Sequence, residues 1–258
     1  MNMKLTKLIL SMACLAGAGA LVYKYSAPEQ NTNQIVVGIG TPYPPFEMLN
    51  EQGELIGFDV EVMAALSKKL GKKIEFKMMA FDYLILSLKQ KKVDLIIAGI
   101  TITPQRLKEI QLIPYQGAPL TTLSLVFWGT VPKIQKIEEL AAYKNPVISV
   151  QTGTIAKDWI STFPFITIRQ LDTNNDLVLN IKYGKSLACV LEPVVFEHLH
   201  KTYPELTKID IPLPQDFTTY GYGIGISKDN AALAQQIEKA ITELKKDGTI
   251  ATLEKKWF

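Results

Sequence analysis

Asp94 to Arg106 reads DLIIAGITITPQR, and this stretch decides the fold. Its run from Asp94 to Ile97 has the pattern of a buried strand. The strand leads through Ala98 into Gly99, where a backbone can approach a ligand closely. Thr101 and Thr103 follow, and Pro104 suits the first turn of a helix. A helix start presents free N–H groups, and Arg106 adds a planar, permanently charged fork. Together these parts make a carboxylate receptor; the other reading is a surface arginine at a helix end. Of 28 basic residues only Arg106 and Arg169 are arginines. Where a mobile positive charge suffices this chain uses lysine, so Arg106 reads as chosen for geometry.

Outward from this stretch, short β-rich runs alternate with amphipathic helical ones. Ile35 to Ile39 reads as a buried strand and Asp59 to Leu70 as a helix stopped by Gly71. Lys73 to Met78 reads as a strand and Tyr83 to Gln90 as a helix, with the Met78-Met79 pair expected in the core. The second half repeats the theme in a strand at Val147 to Val150, a helix at Ala156 to Thr162 and a strand at Leu187 to Leu191. Such alternation implies doubly wound α/β sheets, whose ligands sit beyond the carboxyl ends of the strands. Two such units predict two lobes with a cleft between them.

Three further segments carry chemistry. In Thr41 to Phe46 (TPYPPF) three prolines stiffen a loop that holds Tyr43 and Phe46. That loop either packs against a flat or aliphatic ligand or caps the core. Val150 to Ile155 (VQTGTI) is a strand running into a Gly-Thr turn with free N–H groups. Glu192 follows a buried strand, where its carboxylate either faces an ammonium group or caps the next helix.

Composition excludes other classes. A 47% apolar and 21% charged chain of 258 residues can bury a sizeable core. The formal charge of +3 offers no electrostatic case for nucleic acid. His198 and His200 lack the spacing that places two metal ligands on one helix face, and solvated surface histidines are expected. No metal and no cofactor are expected. Residues 1–20 join Lys4 and Lys7, an uncharged apolar run and Ala18-Gly19-Ala20, the form of a cleaved signal peptide. The apolar run is shorter than the roughly 20 residues a membrane span needs. Residues 21–33 read as a flexible tether. The expectation is an exported, periplasmic protein, with an uncleaved signal or a lipid at Cys14 as the routes to membrane tethering.

The segments YPPFEMLNEQGELIGFDVEVMAALSKKLG, DLIIAGITITPQRLKEI and LKKDGTIATLEKKWF, in this order and spacing, resemble the periplasmic polar-amino-acid-binding proteins of ABC transporters, solute-binding family 3. The resemblance runs from about Gln34 to Phe258 and is strongest to arginine-binding members. It implies the type II two-lobed fold, two doubly wound sheets joined by two hinge strands. Lobe 1 would be 34–122 plus 222–258 and lobe 2 would be 123–221. It implies that Tyr43 and Phe81 hold the ligand side chain. Ala98, Gly99, Thr101 and Arg106 would take the α-carboxylate, with Thr152, Gly153 and Thr154 closing over it. Glu192 would bind the α-ammonium. The partners implied are a free L-amino acid and a membrane permease, and the protein is expected to be a monomer and not an enzyme.

Two departures bear on specificity. The family usually has Asp at Glu192, and many members have Asp at Gly40. A neutral Gln151, where some glutamine binders have Lys, spares a cationic ligand a buried like-charge contact. That favours arginine, with Glu47, Asp82, Asp172 and Asp176 all open as guanidinium partners. The competing class is an enzyme resembling cyclohexadienyl dehydratases, with Glu192 as general acid.

Overall fold

The computed structural model describes residues 33–117 and 119–258. The expected signal peptide, Cys14 and tether residues 21–32 lie outside them. Asn33, counted with the tether, already accepts the Lys73 N–H at 2.9 Å and so joins the sheet edge.

Two five-stranded sheets organise the chain. In the first, β1 (Gln34–Ile39) pairs in parallel with β4 (Lys73–Met78) on one side and β5 (Leu95–Ile97) on the other. β12 (Tyr222–Ile226) runs antiparallel between β5 and β6 (Gln111–Gln116). A small hairpin of β2 (Met48–Leu49) and β3 (Leu55–Ile56) leads into the helix α1 (Phe58–Leu70). In the second sheet, β8 (Val147–Gln151) pairs in parallel with β9 (Thr167–Leu171) and β10 (Ala188–Leu191). β7 (Thr122–Trp128) lies antiparallel between β10 and β11 (Leu206–Pro212).

Each sheet is covered on both faces, which is why its central strands are unbroken apolar runs. Leu95 and Ile97 face one core with Val62, Met63 and Leu66 of α1, whereas Ile96 faces another with Leu84 and Leu88. In the second sheet Val190 joins Ile148 and Trp159, and Cys189 and Leu191 join Leu177 and Val195. This gives two lobes, each built around its own sheet. The fold expected from the alternation is therefore the one observed, with element ends shifted by a residue or two. Among the described residues no helix is long and apolar enough to cross a membrane.

The chain passes between the sheets twice, after β6 and after β11, and the two passages lie side by side. Leu120 N–H donates to Thr219 Oγ1 at 2.9 Å and Leu213 N–H to Thr121 O at 2.8 Å. Ile102 N–H donates to Gly221 O and Tyr220 N–H to Ile102 O, tying the return passage to the loop after β5.

Two expectations fail. Met78 is 43% exposed, because it ends the edge strand β4, while Met79 packs against the core. The histidines are half-buried, and His200 stacks on Phe196 with ring centroids 5.3 Å apart. Their helix packs Val195, Phe196 and Leu199 into the core on the second sheet, and His200, one turn after Phe196, lies over that ring.

Candidate functional site

The carboxyl ends of β1 and β5 and of β8 and β10 bring charged and aromatic groups together. α3 (Pro104–Glu109) starts at Thr103, whose side chain accepts Arg106 N–H and so caps the helix. Arg106 is only 9% exposed and lies across the cleft instead of on the surface. Its Nη1 donates to Thr101 O at 2.8 Å and Thr101 Oγ1 at 2.6 Å. Its Nη2 donates to Gly153 O of the other lobe at 3.1 Å. The guanidinium carbon sits 5.2 Å from the centroid of Phe81. Three protein acceptors and one ring thus fix the fork's plane before any ligand is considered.

Glu192 precedes α6 (Pro193–Thr202) at the capping position, yet its side chain makes no capping bond. Its carboxylate instead accepts the hydroxyl of Tyr222, from the first lobe. Burial raises its carboxyl to about 7, against the opposing pull of bonds from Tyr222 and Tyr43 and of the charge of Arg106. Arg106 makes no ion pair among the described residues. Burial works against its charge and Glu192 supports it. A buried cation and a buried anion therefore sense each other without being bonded.

The aromatic loop caps the core, and one of its rings also reaches a cavity. Phe46 is fully buried against Phe58 and Tyr222, and Tyr43, stacked on Phe46 at 5.6 Å, stays half-buried. Tyr43, Gln151, Thr154, Asn174 and Glu192 line one cavity. Gln151 donates to Asp172 O at 3.0 Å, and Thr154 Oγ1 donates to Gln151 O at 2.7 Å while capping α4 (Ile155–Ile160). The Thr154 hydroxyl is thus committed to the turn.

Gly99 departs from its expected part. Its N–H donates to Asp59 Oδ2 at 2.8 Å, so it is already engaged by the protein. Glycine is required there because φ is +53° and a Cβ would meet Phe46 and Tyr43 at 3.1 Å. Ala98 is fully buried beside it. Gly153, with φ +76°, faces Asp82 of the other lobe.

Of the four acids open as side-chain partners, the structure distinguishes Glu47. Asp82 and Asp172 are exposed, and Asp176 accepts the Thr173 hydroxyl at 2.7 Å. Glu47 is 0% exposed and neither carboxylate oxygen has a hydrogen-bond partner among the described residues. A Cβ at Gly40 would lie 2.6 Å from Glu47 Oε1. The carboxylate therefore fills the space an Asp at position 40 would need. Sequence reasoning missed Asp59, Tyr222 and Asn174. Asn174 is 2% exposed, and its Nδ2 lacks a partner among the described residues. The acid in an otherwise apolar helix start, Phe58-Asp59-Val60, was the available signal for Asp59.

Two α/β lobes linked by paired passages, with polar groups from both gathered between them, define a ligand-binding clamp. The family of that clamp follows from comparison. The model of bacterial extracellular solute-binding proteins, family 3, matches residues 35–258, and the chain belongs to that family. It is 39% identical over 229 residues to the probable ABC transporter arginine-binding protein ArtJ of Chlamydia trachomatis serovar D, covering 89% of this chain and 87% of the relative. An ancestral arginine-binding protein bound to arginine superposes with TM-score 0.78 at 30% identity, over 88% of this chain and 98% of that one. The ancestral amino-acid-binding protein AncCDT-1, a precursor of cyclohexadienyl dehydratase, gives 0.77 at 28% identity, over 88% and 96%.

Proposed function

We propose that the chain is the substrate-binding component of an amino-acid ABC importer and takes free L-arginine or another basic amino acid between its lobes. The observation that carries this reading is that Arg106 and Glu192 are both buried and not bonded to each other, a guanidinium and a carboxyl matched to the two ends of a zwitterion. Arg106 and the Thr101 region would take the α-carboxylate, with the Thr152-Gly153-Thr154 turn closing over it. Glu192 would take the α-ammonium, and Tyr43 and Phe81 would flank the side chain. Glu47 would receive the cationic end, since its oxygens are buried and have no hydrogen-bond partner among the described residues. Gln151 leaves that pocket without a competing positive charge. The hinge would fall at about 122 and 222, giving lobe 1 as 34–122 plus 222–258 and lobe 2 as 123–221. Contacts from both lobes favour the closed form, and a membrane permease would read closure. The protein would work as an exported, periplasmic monomer.

A ligand with each charge paired binds at about micromolar or tighter, roughly −8 kcal/mol. Thermal shift of unfolded and refolded protein against the twenty amino acids and prephenate tests the reading, because a bound ligand raises the melting midpoint. The expected order is arginine above lysine, with no shift from glutamate. A shift with prephenate alone would instead favour the dehydratase-like chemistry, with Glu192 as general acid.

A further inference from the structure

Glu47, which directly follows the aromatic loop, and Asp59, whose N–H donates to Phe46 O at 2.9 Å, are both wholly buried and feel each other's charge. Their surroundings differ. Asp59 accepts Gly99 N–H at 2.8 Å on one oxygen and the Tyr115 hydroxyl at 2.6 Å on the other. Glu47 accepts from nothing among the described residues. Neither takes part in an ion pair among them. The titratable groups that Glu47 senses are Tyr43 on its own loop, Asp59 on α1 and Tyr115 on β6. Asp59 additionally senses Tyr222 on β12. None of these supplies a positive charge, and two adjacent carboxylates in a dry site cannot both ionise cheaply.

We propose that Glu47 holds a proton that a cationic ligand side chain displaces into solvent, and that Asp59 is the positioning residue that keeps it there. This rests on the reading of Glu47 as the side-chain partner. The geometry assigns the proton. Asp59 has two donors aimed at its oxygens and is the better carboxylate, so the proton resides on Glu47, which has none. Burial and the Asp59 charge push the Glu47 carboxyl well up, and burial puts Asp59 at about 7 despite its two donors. When a guanidinium enters, its positive charge replaces the proton and the proton leaves to the buffer, so total charge in the pocket is conserved. A neutral side chain has no charge to exchange for the proton, so the pair selects for cations through the cost of ionising Glu47.

The consequence is a proton count. Arginine is titrated calorimetrically into the refolded chain at pH 7 in phosphate, Hepes and Tris buffers. The slope of observed heat against buffer ionisation heat gives the protons released. Wild type is expected to release more than half a proton per arginine, with affinity rising about tenfold per pH unit below the Glu47 transition and levelling above it. Glu47→Gln is expected to bind arginine more weakly and to lose that release. Citrulline, an uncharged isostere, reads any exchange at Glu192 alone. Asp59→Asn is expected to move the levelling pH downward by a unit or more, which a merely structural loss would not do.

Arginine binding with no proton released, or release unchanged in Glu47→Gln, overturns the inference and leaves the proposed function standing. An unmoved pH profile in Asp59→Asn overturns the part given to Asp59. No heat from arginine or from lysine in any buffer at any pH instead overturns the proposed function. If Asp59→Asn fails to fold, the wild-type and Glu47→Gln counts still decide whether Glu47 holds the proton.

Discussion

Gly153→Ala should separate the cost of closing the clamp from the cost of building it. Gly153 has φ +76° in the turn between β8 and α4, and a Cβ there would sit 3.0 Å from Asp82 Cβ and 3.2 Å from Asp82 Cα. Two penalties follow. The left-handed backbone costs an alanine about 1–2 kcal/mol. That cost is paid whether the lobes are together or apart, because bonds within the second lobe, such as Thr152 N–H to Leu171 O, set the turn. The encounter with Asp82 is paid only when the lobes meet. Inserting a methyl group into such a contact costs about 1–3 kcal/mol. That weakens ligand binding about 5- to 150-fold. Calorimetry gives the affinity, and small-angle scattering with saturating ligand gives the fraction closed. Pairing the change with Asp82→Gly removes the nearer contact and should restore the greater part of the affinity. Binding by Gly153→Ala within twofold of wild type refutes the reasoning, as does a loss that Asp82→Gly leaves unchanged.

Arg106→Ala removes the fork that Thr101 and Gly153 hold in place and should cost about 3–5 kcal/mol of binding by leaving a buried carboxylate unpaired. Calorimetric affinity within threefold of wild type would contradict the assignment. Glu192 predicts an unusual pH slope, because its folded value of about 7 lies above its ordinary 4.5. The folded chain then keeps a proton that the unfolded chain gives up, so stability is full below about 4.5 and falls as pH rises towards 7. The sum is at most about 3 kcal/mol. Urea midpoints should show Glu192→Gln gaining on wild type between pH 5 and pH 8, and a gain in the opposite direction rules this out.

What could be read from the sequence was set by how local each signal is. Leu95–Ile97 and Ala188–Leu191 are unbroken apolar runs because both faces of each strand are covered, and that pattern is visible in single residues. Arg106 could be picked out because this chain so seldom uses arginine. Glu192 could be placed at a strand end, but the choice between capping a helix and facing the cleft rested on Tyr222, which reaches it from the other lobe. Gly99 was legible as a glycine that something crowds. That the crowding came from Phe46 and that its N–H was taken by Asp59 are long-range facts no local pattern encodes. The four candidate acids were likewise indistinguishable until burial separated Glu47 from three acids that are more exposed or already bonded. Met78 was misplaced because an edge strand leaves one flank open, and edges are fixed by strand order.

The pairing of β6 with β12 has a consequence for motion. The two strands are antiparallel neighbours with Gln116 opposite Tyr222, the geometry of a hairpin stem. By connectivity, everything between them, the whole second sheet included, is the loop of that hairpin. A loop of this size is a folded body carried on two adjacent strands. A swing about that stem would leave the ladder bonds of both sheets intact, and would draw on the contacts across the cleft and the few bonds that tie the two passages.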